Sequence, residues 1–165
     1  MYKTKIRRKR KMEKIRGFEI AKGFEDKEIN LPVRKTKCSA GYDVEAAEEV
    51  VIPAFKPGQK PVLVKTGIKA YMPDDEFLML CNRSSNPGKK GLILANSVGI
   101  VDADYYGNEN NDGLIMFAFY NVFDQDITFQ KGDTIGQAIF QKYYAVDNDQ
   151  AEGKRIGGFG STSNA

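Results

Sequence analysis

Histidine is absent from the 165 residues. That absence removes every Ser-His-Asp and Cys-His mechanism and any histidine-rich zinc site. The two cysteines, Cys38 and Cys81, form no CxxC pattern, so they read as reduced structural thiols. No apolar run approaches the ~20 residues that cross a bilayer. The basic N-terminus lacks the apolar stretch of a secretory signal, and a cytoplasmic location without membrane contact is expected. Chemistry in such a chain rests on carboxylates, hydroxyls, amides, Lys/Arg, or a metal held by oxygen.

Long helical periodicity is also missing. What is present is a series of short extended segments between Gly, Pro, Asn and Asp. Strands are expected over 49–55, 61–72 (with Gly67 a bulge or bend), 76–81, 92–101, 114–123, 126–129 and 134–144. Between residues 84 and 92 a helical turn is expected to be broken by Pro87-Gly88. Many short strands at close spacing predict one all-β domain, a sandwich, jelly roll or closed barrel.

The net charge of +3 is concentrated in KTKIRRKRKMEK, residues 3–14. Residues 1–15 are expected to form a disordered basic extension, 16–150 the β domain, and 151–165 a flexible glycine-rich tail. Without the extension the domain is near neutral or acidic, which argues against nucleic acid as its main ligand.

Four places carry candidate chemistry, each beside a plainer alternative. AGYDVEA, residues 40–46, sets Asp43 beside a glycine turn, where it can order a metal-bound water or simply cap a loop entering a strand. Arg83-Ser84-Ser85 follows a strand, and a guanidinium, two hydroxyls and the next backbone N–H groups can cradle phosphate, or make a polar turn. NSVGIVDADYYG, residues 96–107, ends an apolar arm in Asp102, Asp104 and two tyrosines. A carboxylate there suits a general base, or the acids simply face solvent; the following NENNDG reads as a surface loop without chemistry. In the tail, Arg155 and GGFGST, residues 157–162, offer a guanidinium fork, close backbone approach and a stacking ring, or else a loose terminus.

In this order, with GDTIGQAIF at 132–140, these segments resemble the five motifs of the homotrimeric dUTPases, from about Lys35 to Thr162. The resemblance implies a distorted jelly-roll or β-barrel-like domain and three copies around a threefold axis. Each active site then combines motifs one, two and four of one subunit, the third motif of a second and the tail of a third. It implies hydrolysis of dUTP to dUMP and pyrophosphate with Mg²⁺, held mainly by triphosphate and water.

The implied roles fall as follows. Asp102 is the base that activates water, Asp43 orders metal and water, and Ser84 contacts the phosphates near the scissile bond. Arg83, Ser85 and Gln137 orient the site or touch the triphosphate. Asn96, Gly99 and Ile100 read uracil, and Tyr105 lies under the deoxyribose. Phe159 and Gly160 close over the base, while Arg155, Ser161 and Thr162 bind the γ-phosphate. Many family members set the tail arginine one residue earlier, where this chain has Lys154. A dCTP deaminase shares the fold, but Asp102, Tyr105 and the phenylalanine-bearing tail favour dUTP hydrolysis. A regulatory binding role is the other alternative, with only the basic extension to suggest it.

Overall fold

Alternation sets the architecture. In the segment MFAFYN the side chains of Phe117, Phe119 and Asn121 are buried, and Met116, Ala118 and Tyr120 are half-exposed. A two-residue period of this kind fits a strand with one face on a core. The computed structural model describes residues 13–153 together with Arg155 and Gly157. Among them the strands are β1 (Gly17–Ile20), β2 (Tyr42–Glu45), β3 (Val50–Ile52), β4 (Val62–Lys65), β5 (Ile68–Tyr71), β6 (Glu76–Asn82), β7 (Leu92–Leu94), β8 (Gly99–Asp102), β9 (Met116–Asn121), β10 (Ile127–Phe129) and β11 (Thr134–Lys142). All their pairings are antiparallel. The architecture is the expected all-β jelly roll.

Four sheets share the work. β2-β11-β6-β8 forms the largest, β4-β9-β7 packs opposite, and β1-β5 and β3-β10 are two-stranded ribbons. Between them lies one core that includes Leu78, Leu80, Val101, Phe117, Phe119, Phe129 and Ile135. Phe117 and Phe119 stack with ring centres 6.0 Å apart, and Phe129 tilts against Phe119 at 5.8 Å. Burial of each such ring contributes about 1.5–3 kcal/mol. No helix among the described residues is long and apolar enough to cross a membrane.

Two expected strands divide where the chain changes sheet. Residues 61–72 become β4 and β5, separated at Thr66-Gly67. Gly67 has φ +72°, and a Cβ there would lie 2.9 Å from the Ile29 side chain; only glycine turns this corner without strain. Residues 92–101 become β7 and β8, separated by a turn with Ser97 at φ 62°. β7 pairs with β9 while β8 pairs with β6, so the apolar arm of the third motif begins at a corner between sheets.

Pro87 does not break the helical turn as expected. A one-and-a-half-turn helix, α1, spans Ser85–Lys90 and ends on Gly91 in the left-handed region at φ 63°. Pro87 sits in the first turn, where backbone N–H groups have no intrahelical acceptor and the missing donor costs nothing. β1, which sequence patterning does not mark, is held by its register with β5 and by Phe18 against Tyr42 and Phe140.

Candidate active site

Asp102 closes β8, opposite Phe77 of β6. A three-residue 3-10 turn, Ala103–Tyr105, follows it. The turn bends the chain so that Asp102 and Tyr105 line the same cavity of about 500 Å³, together with Asn96, Gly99, Ile100 and Arg155. Leu80, Leu94 and Phe117 make an apolar floor. That volume and lining suit a small organic ligand with a few fixed polar contacts. Gly99 keeps the wall thin, since a Cβ there would meet the Leu80 side chain at 3.0 Å.

Arg155 also lines this cavity. Arg155 donates through Nη2 to Asp102 Oδ2 and through Nε to Asp104 Oδ1 at 2.6 Å. Its guanidinium lies 6.0 Å from the centre of the Tyr105 ring. The Arg155 side chain is 17% exposed, against 49% for Asp102 and 57% for Asp104. Burial works against the Arg155 charge, but the Asp104 and Asp102 carboxylates outweigh it and hold the guanidinium above its ordinary value. The arginine that resembles a phosphate-binding group thus rests here on two carboxylates of its own chain. Phe159, Gly160, Ser161 and Thr162, and the alternative Lys154, lie outside the described residues.

A second cluster forms around the other end of β6. Asp43, Gln137 and Cys81 occupy one row across β2, β11 and β6. Directly opposed residues of antiparallel strands share a face. A Cβ on Gly41 would fall 2.2 Å from Gln137 Oε1, so the glycine of AGYD leaves the space that the amide fills. Gln137 Nε2 donates to the Asn82 carbonyl at 3.4 Å, and Lys35 Nζ stands 3.8 Å from Asp43. Arg83 is tied by its backbone N–H to Asn82 Oδ1 at 2.9 Å and by Nη1 to the Thr134 carbonyl at 3.4 Å. Ser84 heads α1 without a side-chain capping bond and is exposed; Ser85 is half-buried. The Ser84 hydroxyl is therefore not committed to the helix end.

Sequence reading missed what holds this cluster. Asn86 is buried and donates to Asn82 Oδ1 at 2.8 Å and to the Ile135 carbonyl at 2.9 Å. Asn82 donates to the Leu92 carbonyl at 2.8 Å. These amides lock α1 onto β6 and β11. The signal was two asparagines flanking RSS, four residues apart. Asp104, two residues after Asp102, has no role in the sequence reading, and the structure makes it the second carboxylate on Arg155. Burial lifts the Cys81 thiol above its ordinary value, and both cysteines are free thiols.

The NENNDG stretch is also more than a surface loop. Asn108 is buried, and Asp112 joins Lys69 Nζ at 2.7 Å and the Lys22 N–H at 2.9 Å.

The two clusters do not meet in one chain. Asp102 lies beside Phe77, whereas Arg83 follows Asn82 at the other end of β6. Six residues of extended chain span roughly 20 Å. One chain thus presents two clusters at different ends of the same strand.

A family model for dUTPase matches residues 27–163. The deoxyuridine 5'-triphosphate nucleotidohydrolase of Lactococcus lactis subsp. lactis (strain IL1403) is 46% identical over 151 residues, 90% of this chain and 98% of that protein. The enzyme of the same name from Actinobacillus pleuropneumoniae serotype 5b (strain L20) is 35% identical over 149 residues, 87% of this chain and 93% of that protein. Among solved structures, the dUTPase from Streptococcus mutans aligns with a TM-score of 0.74 at 44% identity, covering 79% of this chain and 98% of that one. A dUTPase from phage phi11 of S. aureus, which coordinates a structural Mg(II) ion, shares the fold with a TM-score of 0.64 at 19% identity, covering 84% and 97%.

Proposed function

The chain belongs to the dUTPase family, and from that premise we propose that it hydrolyses dUTP to dUMP and pyrophosphate in a homotrimer with shared sites. The observation that carries the proposal is the division of the candidate residues into two half-sites at opposite ends of β6. Neither half is a triphosphatase alone. The cavity beside Asp102 and Tyr105 suits a base and sugar, and the Arg83-Ser84 turn with Gln137 and Asp43 suits phosphates. A neighbouring subunit joins one half to the other.

Asn96 and the backbone at Gly99 and Ile100 read uracil through amide and carbonyl groups. Cytosine would leave such groups wrongly paired, at about 1–3 kcal/mol for a buried unpaired group. Asp102 takes a proton from a water whose oxygen attacks the α-phosphorus in line. The bond from that phosphorus to the oxygen bridging to the β-phosphate breaks, and pyrophosphate leaves. Arg83, Ser84, Ser85 and Gln137 position the triphosphate. Phe159 and Gly160 close over the base, and Ser161, Thr162 and Arg155 take the γ-phosphate. For Arg155 that requires release from Asp102, which frees the carboxylate when substrate arrives.

Among the described residues no three His, Cys, Asp or Glu side chains group as metal ligands. The half-exposed Asp43 carboxylate fits a hydrated Mg²⁺ carried in by the triphosphate. Such an ion neutralises charge on the phosphate oxygens and leaving group. The reaction keeps uracil out of DNA and supplies dUMP for dTMP synthesis.

Pyrophosphate release from dUTP, UTP, dTTP and dCTP, with and without Mg²⁺, tests the proposal. Rapid, magnesium-dependent release from dUTP alone is expected. Ammonia release from dCTP, or equal rates on all four nucleotides, would overturn it.

A further inference from the structure

We propose that Asn111 is a positioning residue for sugar discrimination, acting through the hydroxyl of Tyr105; the inference rests on the dUTP-hydrolysing reading, in which the Tyr105 ring lies under the deoxyribose. Asn111 Nδ2 donates to Tyr105 Oη at 2.6 Å. Its Oδ1 accepts the Gly113 N–H at 3.1 Å. That second bond fixes which end of the amide faces the ring. The Tyr105 hydroxyl in turn faces the Leu114 carbonyl at 3.5 Å.

The backbone of Tyr105 is held by the same loop. Its carbonyl accepts the Asn108 N–H at 3.1 Å, and the Asn108 carbonyl accepts the Asp112 N–H at 2.7 Å. Gly113 has φ +81°, and a Cβ there would lie 2.6 Å from the Tyr105 carbonyl oxygen. The loop therefore presses directly on the turn that carries the ring. Its outer end is anchored at Asp112, through Lys69 of β5 and the Lys22 N–H. Tyr105 is clamped at its carbonyl and at its hydroxyl by one segment fixed to β5.

Steric rejection of one hydroxyl group works only against a wall that does not yield. A displacement of about 1 Å is enough to alter the fit of a reacting substrate. Asn111 supplies the far-end hold that a three-residue turn lacks. Its amide meets the ring's hydroxyl, yet Asn111 does not itself line the cavity that Tyr105 lines, so its effect appears in selectivity rather than in the chemical step.

The test compares kcat/KM for dUTP and UTP in the full-length enzyme with Mg²⁺. Asn111→Ala is expected to lower the dUTP:UTP ratio about five- to tenfold, the scale of one neutral hydrogen bond, mainly by improving UTP. Tyr105→Phe, which keeps the ring and removes the hydroxyl, should give a similar fall, and the double variant should fall no further. Asn110→Ala, one residue away and exposed, should leave the ratio unchanged. An unchanged ratio in folded Asn111→Ala, or additive losses in the double variant, would overturn the inference. If Asn111→Ala does not fold, Tyr105→Phe decides alone, and an unchanged ratio there overturns it. A wild-type enzyme without preference for dUTP over UTP sinks the functional proposal itself. A wild-type preference that survives all three variants sinks only this inference.

Discussion

Asp102 is half-exposed and already paired with Arg155, so its task as a base depends on when that partner leaves. Asp102→Asn keeps the shape and the hydrogen-bonding reach of the side chain but cannot accept the water's proton. Turnover of dUTP should fall by about 10²–10⁴-fold, the usual contribution of a general base, while dUTP affinity measured by calorimetry stays nearly unchanged. Near-normal turnover would remove Asp102 from that role. Asp112 makes a separate residue-scale case. Burial opposes its charge, but the Lys69 ammonium and the Lys22 N–H outweigh burial and hold its pKa below the ordinary 3.8. A carboxylate lowered by folding stabilises the protein above its unfolded value and loses that stabilisation as pH falls through the folded one. As pH falls through about 4, the ordinary range of an aspartate, and below it, wild-type Tm should therefore drop more steeply than that of Asp112→Asn. Parallel Tm curves for the two proteins would show that the Lys69 pair adds no pH-dependent stability.

At the scale of elements, β11 carries the tightest demand. Gly136 sits where β11 passes between β2 and β6, and its register with β2 slips there. An added Cβ would fall 2.2 Å from the Phe117 ring and 2.9 Å from the Cys81 carbonyl. The ring belongs to the packed core and cannot yield cheaply. Gly136→Ala should destabilise by about 1–3 kcal/mol, the range for overpacking a core, and lower Tm by several degrees. An unchanged Tm would mean the core accommodates the methyl group. This explains the second glycine of GDTIGQAIF as packing rather than chemistry, while its neighbour Gln137 shares a row with Asp43 and Cys81 in the candidate phosphate cluster. α1 is similar in kind. Its proline is harmless in the first turn, and the bond from buried Asn86 to half-buried Asn82 fixes the RSS turn in place.

Over the whole molecule, the proposed sharing of each site among three subunits makes a sharper demand than any single residue. If each site uses Asp102 from one subunit and the tail from another, two different inactive chains can repair each other. Chains cut before Lys154 should assemble as trimers and be nearly inactive, as should Asp102→Asn trimers. Mixed trimers formed from the two by unfolding and refolding together should regain a measurable part of wild-type turnover. Absence of any recovery, with mixing confirmed by mass, would place base and tail on the same subunit.

Sequence alone determined the all-β class, because period-two alternation and closely spaced turn residues leave few other ways to bury these segments. It also singled out the candidate residues, through the order and spacing of five short motifs. It did not reveal where strands divide. Gly67 is legible as a bend, whereas the turn at Ser97 falls inside an expected strand, and only the choice of pairing partners shows that the chain changes sheet at each. Tertiary structure alone decided that NENNDG grips Tyr105, since asparagines in a polar loop look alike until one of them meets a buried hydroxyl. It decided too that Asp102 and Arg83 stand at opposite ends of β6. Distance between motifs in space depends on strand register and sheet order, which are set by long-range packing and are not written in any local stretch of residues.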